Sequence, residues 1–216
     1  MVDVEKIEKR TIQSFYDDGL TEIALGVILL ILGGYFVAQA AVPAGSTLED
    51  TLTVLFILLI VSAGFLVNRL LRVFKRRITY PRAGYVTFKK KKPSTKRRLA
   101  TGFVAMIISA SIAALYGLSP SFRALYPALN GLLFAVAVLL IASRVGLFRF
   151  FALAAFSAVI GVALTAAGIG GFKGISWFYL LFGATVLVSG LAALVLFLRR
   201  NPRPAADEAG EGPDAR

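Results

Sequence analysis

Apolar residues gather in six long runs, and each run ends where polar, Gly or Pro residues interrupt it. A helix rises about 1.5 Å per residue, so crossing the hydrocarbon of a bilayer takes about 20 apolar residues. Runs of that kind occupy residues 20–42, 51–71, 99–118, 126–142, 150–169 and 175–198. The first closes on Pro43, Gly45 and Ser46, the third on Ser119 and Pro120, and the fifth on Gly170 and Gly171, all breaker clusters. Pro127 falls in the first turn of the fourth run, where its missing N–H costs a helix little. A membrane β-barrel would alternate polarity over segments of about ten residues, whereas residues 54–61 and 132–141 are continuously apolar. In lipid, such segments must satisfy their own backbone groups, as helices do. The expected fold is an all-α integral membrane protein, a bundle of six transmembrane helices in three hairpins.

Charge sharpens this picture. Charged residues make up only 17% of the chain, against 57% apolar, and residues 51–206 contain no Asp or Glu. A soluble surface of that length needs both signs. Placing the N-terminus inside puts 22 of the 24 Lys and Arg residues on the inner side and leaves only Arg123 and Lys173 outside. Such a bias is what the positive-inside rule expects of cytoplasmic loops. The chain then divides into a cytoplasmic N-terminal segment (1–19), a first transmembrane hairpin (20–71), a basic cytoplasmic loop (72–98), a second hairpin (99–142), a short cytoplasmic loop (143–149), a third hairpin (150–198) and a disordered cytoplasmic tail (199–216) rich in Pro, Ala, Gly and acids. Residues 1–18 mix acids and bases, and the first apolar run is too long for a signal-peptide core, so it reads as an uncleaved span. The expected location is the cell membrane, multi-pass, with both termini cytoplasmic.

The basic loop concentrates the charge. Its candidate contacts for lipid or a partner are Arg72, Lys75, Arg76, Arg77, Arg82, Lys89, Lys90, Lys91, Lys92, Lys96, Arg97 and Arg98, and no acid lies among them. Anionic headgroups are the expected counter-charge, at about 1 kcal/mol per base near the surface. An acidic protein partner comes second. Nucleic acid comes last, although Tyr80, Tyr85 and Phe88 interleave with the bases in a way that could stack. Within the loop, two β-prone runs flank Pro81-Arg82-Ala83-Gly84, which suits a turn and a small β-hairpin. An extended linker with interfacial aromatics fits the same residues.

The stretch Thr79-Tyr80-Pro81-Arg82-Ala83-Gly84-Tyr85-Val86, with Asp18-Gly19-Leu20 opening the first span, resembles a family of uncharacterised prokaryotic multi-spanning membrane proteins. The resemblance covers the first half of the chain. It implies a bacterial or archaeal cell membrane and no particular activity.

Asp17, Asp18 and Glu22 are the carboxylates nearest a span's inner end. They suit a helix N-terminus, where the free N–H groups and the dipole favour anions. They are also candidates for intramolecular ion pairs with Arg69, Arg72 or Arg82 at the root of the loop. Ahead of them, Val4, Ile7, Thr11 and Phe15 fall at helical spacing, the pattern of a short amphipathic helix. Inside the spans the largest polar residues are Gln39, Asn68 and Asn130, expected to bond between helices. Ser157, Gly161 and Thr165 repeat every four residues, as do Ala154 and Ala158, and Ala110 and Ala114. Such ladders let helices approach closely within a chain or across a homo-oligomer. Gly33-Gly34 and Gly170-Gly171 are expected to mark kinks or tight ends.

The chain has no Cys and no His, so disulfides, the commonest metal ligands and the commonest general acid–base are missing. No span offers a Ser–Lys dyad or paired carboxylates, which intramembrane catalysis would need. We therefore expect no catalytic residue, no cofactor and no metal. The expected function is that of a non-enzymatic scaffold or accessory subunit whose basic cytoplasmic face binds anionic lipid or an acidic partner. A small-solute transporter or channel is the alternative, to be recognised by a polar cavity reaching the midplane beside a broken helix.

Overall fold

The computed structural model describes residues 13, 16–43, 45–75 and 120–202. These residues are helical or lie in short connections, with no strand among them. The helices are α1 (Leu20–Ala41), α2 (Thr47–Phe74), α3 (Tyr126–Val145), α4 (Phe148–Ala166) and α5 (Gly171–Arg200), with a 3-10 turn at Pro120–Leu125 leading into α3. Four helices are long and apolar enough to cross a membrane: α1, α3 with the end of the preceding turn, α4 and α5. The third apolar run, the proposed loop hairpin and most of the basic loop lie outside the described residues.

Local signals set the ends. Gly19 takes a left-handed φ of 65° just before α1, a conformation that favours glycine. Ser46 caps α2 by accepting from the Glu49 amide at 3.2 Å. Glu49 then holds the α1–α2 turn, its Oε2 accepting from Gly45 N at 2.6 Å and its Oε1 from Gln39 Nε2 at 3.3 Å. Pro127 sits in the first turn of α3. Gly146, left-handed at φ 73°, ends α3. α1 runs unbroken through Gly33-Gly34, whereas Gly170-Gly171 marks the start of α5. α5 therefore begins four residues before the apolar run at Ile175 and absorbs Lys173 into its first turns.

Two close pairs dominate the packing. The most extensive contact is between α1 and α5, far larger than that between α1 and its sequence neighbour α2. A Cβ on Gly26 would lie 2.7 Å from the Leu187 amide nitrogen, and one on Gly183 3.0 Å from the Leu29 Cβ. With water absent, helix association rests on such van der Waals fit. The second pair is α3 with α4, where a Cβ on Gly161 would lie 2.9 Å from the Gly131 Cα. Ser157 Oγ donates to Gly131 O at 2.9 Å, and Thr165 Oγ1 accepts from Ala128 N at 3.1 Å. The Ser157, Gly161, Thr165 ladder thus faces α3 within the chain. Between the pairs, Phe178 and Phe182 are fully buried and stack at 5.6 Å, with Phe134 at 5.8 and 5.7 Å. Asn130 Oδ1 accepts from Tyr179 Oη of α5 at 3.4 Å.

The contacts also fix the relative levels of the helices. Gly33 meets Leu180, Gly26 meets Leu187 and Gly19 meets Gly190, so α1 and α5 are antiparallel. At one end Gly174 lies beside Pro127, which levels the start of α5 with the start of α3. At the other, α1 begins level with Gly190 while α5 runs on to Arg200. Those last ten residues carry α5 about 15 Å beyond the start of α1, at about 1.5 Å per residue.

Candidate functional site

The charged side chains that the fold brings together lie at the start of α1. Asp18 and Glu22 are almost fully buried there, while Asp17 is exposed. Asp18 Oδ2 pairs with Lys75 Nζ at 3.2 Å, and its Oδ1 accepts from Leu20 N at 3.2 Å. The one carboxylate therefore serves a free N–H of α1 and binds the cation that follows α2. Lys75 keeps 5% of its side-chain surface. Burial pushes its ammonium below the ordinary lysine value, and the Asp18 carboxylate beside it works in the opposite direction.

One turn further along α1, Glu22 Oε1 lies 2.8 Å from Arg149 Nε, and Glu22 Oε2 accepts from Ser189 Oγ at 2.9 Å. Arg149 also donates through Nη2 to the Tyr16 carbonyl. Its guanidinium lies 5.4 Å from the Phe150 ring, against whose edge Tyr16 packs at 5.7 Å. Close approach makes this geometry possible, since a Cβ on Gly190 would sit 2.9 Å from the Glu22 Cβ. Two carboxylates and two cations cancel within the cluster. They tie together the turn leading into α1 and its first turn, the end of α2, the first turn of α4 and the middle of α5.

Of the residues picked out in the sequence, Asp18 comes together with Lys75, whereas Glu22 pairs with Arg149 and Ser189 instead. Arg72 is on the exposed side of the last turn of α2. Lys75, a candidate lipid contact, is instead buried and paired with Asp18. Arg76, Arg77, Arg82, Lys89, Lys90, Lys91, Lys92, Lys96, Arg97 and Arg98 lie outside the described residues. Arg149, Ser189 and the Tyr16 carbonyl were not anticipated. Arg149 carries a signal, however: a cation in the first turn of a helix opposes the helix dipole and calls for an anion nearby. No group of three acids that could hold a metal occurs among the described residues. Comparison with family models, with curated proteins and with solved structures finds no match to the chain.

Proposed function

We propose that this chain is a non-enzymatic, multi-spanning protein of a prokaryotic cell membrane, a scaffold or accessory subunit whose basic cytoplasmic face binds anionic lipid. The observation that carries the reading is how the acids at the start of α1 are spent. Asp18 is taken by Lys75 and Glu22 by Arg149. The bases from Arg76 to Arg98 have no acid among them, so these two carboxylates are not available to neutralise them. Headgroup phosphates are the nearest abundant anions. The apolar packing of Leu29, Phe178, Phe182 and Val186 in the core of the bundle suits a structural bundle better than a solute path.

Full-length protein should retain anionic phospholipid over zwitterionic phospholipid through purification, as read by native mass spectrometry. The preference should fall as salt rises, because exposed charges are screened within about 8 Å at physiological ionic strength. Equal retention of both lipid classes at low salt would sink the proposal.

The reading takes the topology to be six spans in three hairpins with both termini cytoplasmic, supported by the Lys and Arg split of 22 to 2. Reporter fusions should read extracytoplasmic after Gly45, Ser121 and Gly171 and cytoplasmic after Arg98 and Arg216. An extracytoplasmic signal at Arg98 or Arg216 would overturn it.

A further inference from the structure

Two bases flank the short connection between α3 and α4, and the fold treats them oppositely. Arg149, in the first turn of α4, turns into the bundle and is spent on Glu22. Arg144, in the last turn of α3, is exposed and makes no ion pair among the described residues. Acids are scarce around it, since residues 51–206 contain none and Asp18 and Glu22 are already paired. The chain reverses at Gly146, whose amide bonds to the Ala142 carbonyl at 2.7 Å. Phe148 follows at 83% exposure, more than any other large apolar side chain among the described residues. Arg144 also ends a stripe. Leu133, Ala137, Leu140 and Arg144 succeed one another at helical spacing, which places them on one face of α3. Leu133 and Leu140 are 42% and 63% exposed, on a helix long and apolar enough to cross a membrane.

We propose that this corner binds one anionic phospholipid of the inner leaflet, with its phosphate on the Arg144 guanidinium, an acyl chain along Leu140 and Leu133, and the Phe148 ring beside the boundary between them. Level is the first argument. α3 has 20 residues, or about 30 Å of helix, which matches the hydrocarbon thickness of about 30 Å. Its last turn therefore reaches the phosphates while Leu140, about 6 Å earlier, still faces acyl chains. Charge is the second. A guanidinium offers a phosphate two parallel N–H donors, and no nearby carboxylate competes for them. The same lack of acids sets the headgroup class. A zwitterionic lipid brings an ammonium group that needs an anion, and this corner has none to offer, whereas a net negative headgroup brings only the charge that Arg144 lacks. The site rests on the reading above for which face is cytoplasmic, but not on the basic loop.

The chain has a single Trp, Trp177 in the first turns of α5, so a fluorescent probe can be moved to the site cleanly. Full-length protein carrying Trp177→Phe and Phe148→Trp is reconstituted into phosphatidylcholine vesicles. These hold the same low fraction of acyl-brominated phosphatidylglycerol or of acyl-brominated phosphatidylcholine. The brominated phosphatidylglycerol should quench with about fivefold higher apparent affinity, the attraction of one base to an anionic surface. Adding Arg144→Gln should bring the two lipids level. Arg144→Lys should keep the preference, which separates loss of charge from loss of fold. Neutralising the loop by Lys89→Gln, Lys90→Gln, Lys91→Gln and Lys92→Gln should leave the preference at this position unchanged. Equal quenching by the two lipids with Arg144 in place, or a preference that survives Arg144→Gln, would overturn the site. A preference lost with the loop lysines but not with Arg144 would also overturn it, and would leave lipid binding by the loop standing.

Discussion

Replacing Lys75 by Met is expected to cost about 3–5 kcal/mol of stability, the loss typical when one partner of a buried ion pair is removed. The Asp18 carboxylate would be left fully buried, 3.2 Å from where its counter-ion had been. The penalty lies in that uncompensated charge, not in the attraction itself, so removing both charges should restore much of the loss. Asn is the right replacement for Asp18, because it keeps an acceptor for the Leu20 amide, now bonded at 3.2 Å. Unfolding of the full-length protein in one fixed detergent, measured for Lys75→Met, Asp18→Asn and the double variant, closes the cycle. A single-variant cost below about 1 kcal/mol, as for exposed pairs, or strictly additive effects, would show that the two charges are not coupled in a dry site.

Gly26→Ala and Gly34→Ala, eight residues apart on α1, should move stability in opposite directions. At Gly26 the added Cβ would fall 2.7 Å from the Leu187 nitrogen and 2.8 Å from its Cα. Backbone atoms cannot swing aside, so α1 and α5 must separate, at about 1–3 kcal/mol or more for such overpacking. At Gly34 a Cβ meets nothing within 4 Å, and the gain from a less flexible helix residue should be about 0.5–1 kcal/mol. Thermal unfolding under identical detergent conditions reads both. A neutral Gly26→Ala would mean that the close α1–α5 contact is wrongly assigned.

What makes one such site legible in advance and another opaque is the range of the interaction. Ser46 with Glu49, Pro127 at the start of α3 and Gly146 at its end act within one turn, so their residue types alone announce them. Asp18 next to a helix start is equally local, and its role towards the Leu20 amide follows from the dipole of α1. Its pairing with Lys75 is less local, but a short turn joins α1 to α2 and brings their far ends level. Glu22 finds Ser189 across 167 residues of sequence, and no spacing in the chain encodes that meeting. The burial of Lys75 was equally hidden, because a base at the root of a polybasic loop looks in sequence like every other base of that loop.

Helix pairing was hidden for a different reason. A soluble helix shows which face it buries by keeping the other polar. Here lipid-facing and bundle-facing positions are both apolar: on α5, Phe182 is fully buried and Leu181 beside it is 42% exposed. Small residues are the remaining trace. Gly19, Gly26 and Gly33 recur every seven positions, as do Gly183 and Gly190, and these are the points where α1 and α5 touch. The sequence by itself determined that the described part of the chain is helical, where its helices lie to within a few residues, and that its charge is strongly one-sided, because hydropathy, capping and dipoles act through the nearest few residues. The tertiary structure alone decided that α1 pairs with α5, that Lys75 and Arg149 are the cations spent on the buried acids, and that α5 outruns its neighbours, because those outcomes depend on how closely two backbones can approach, and residues far apart in the chain settle that together.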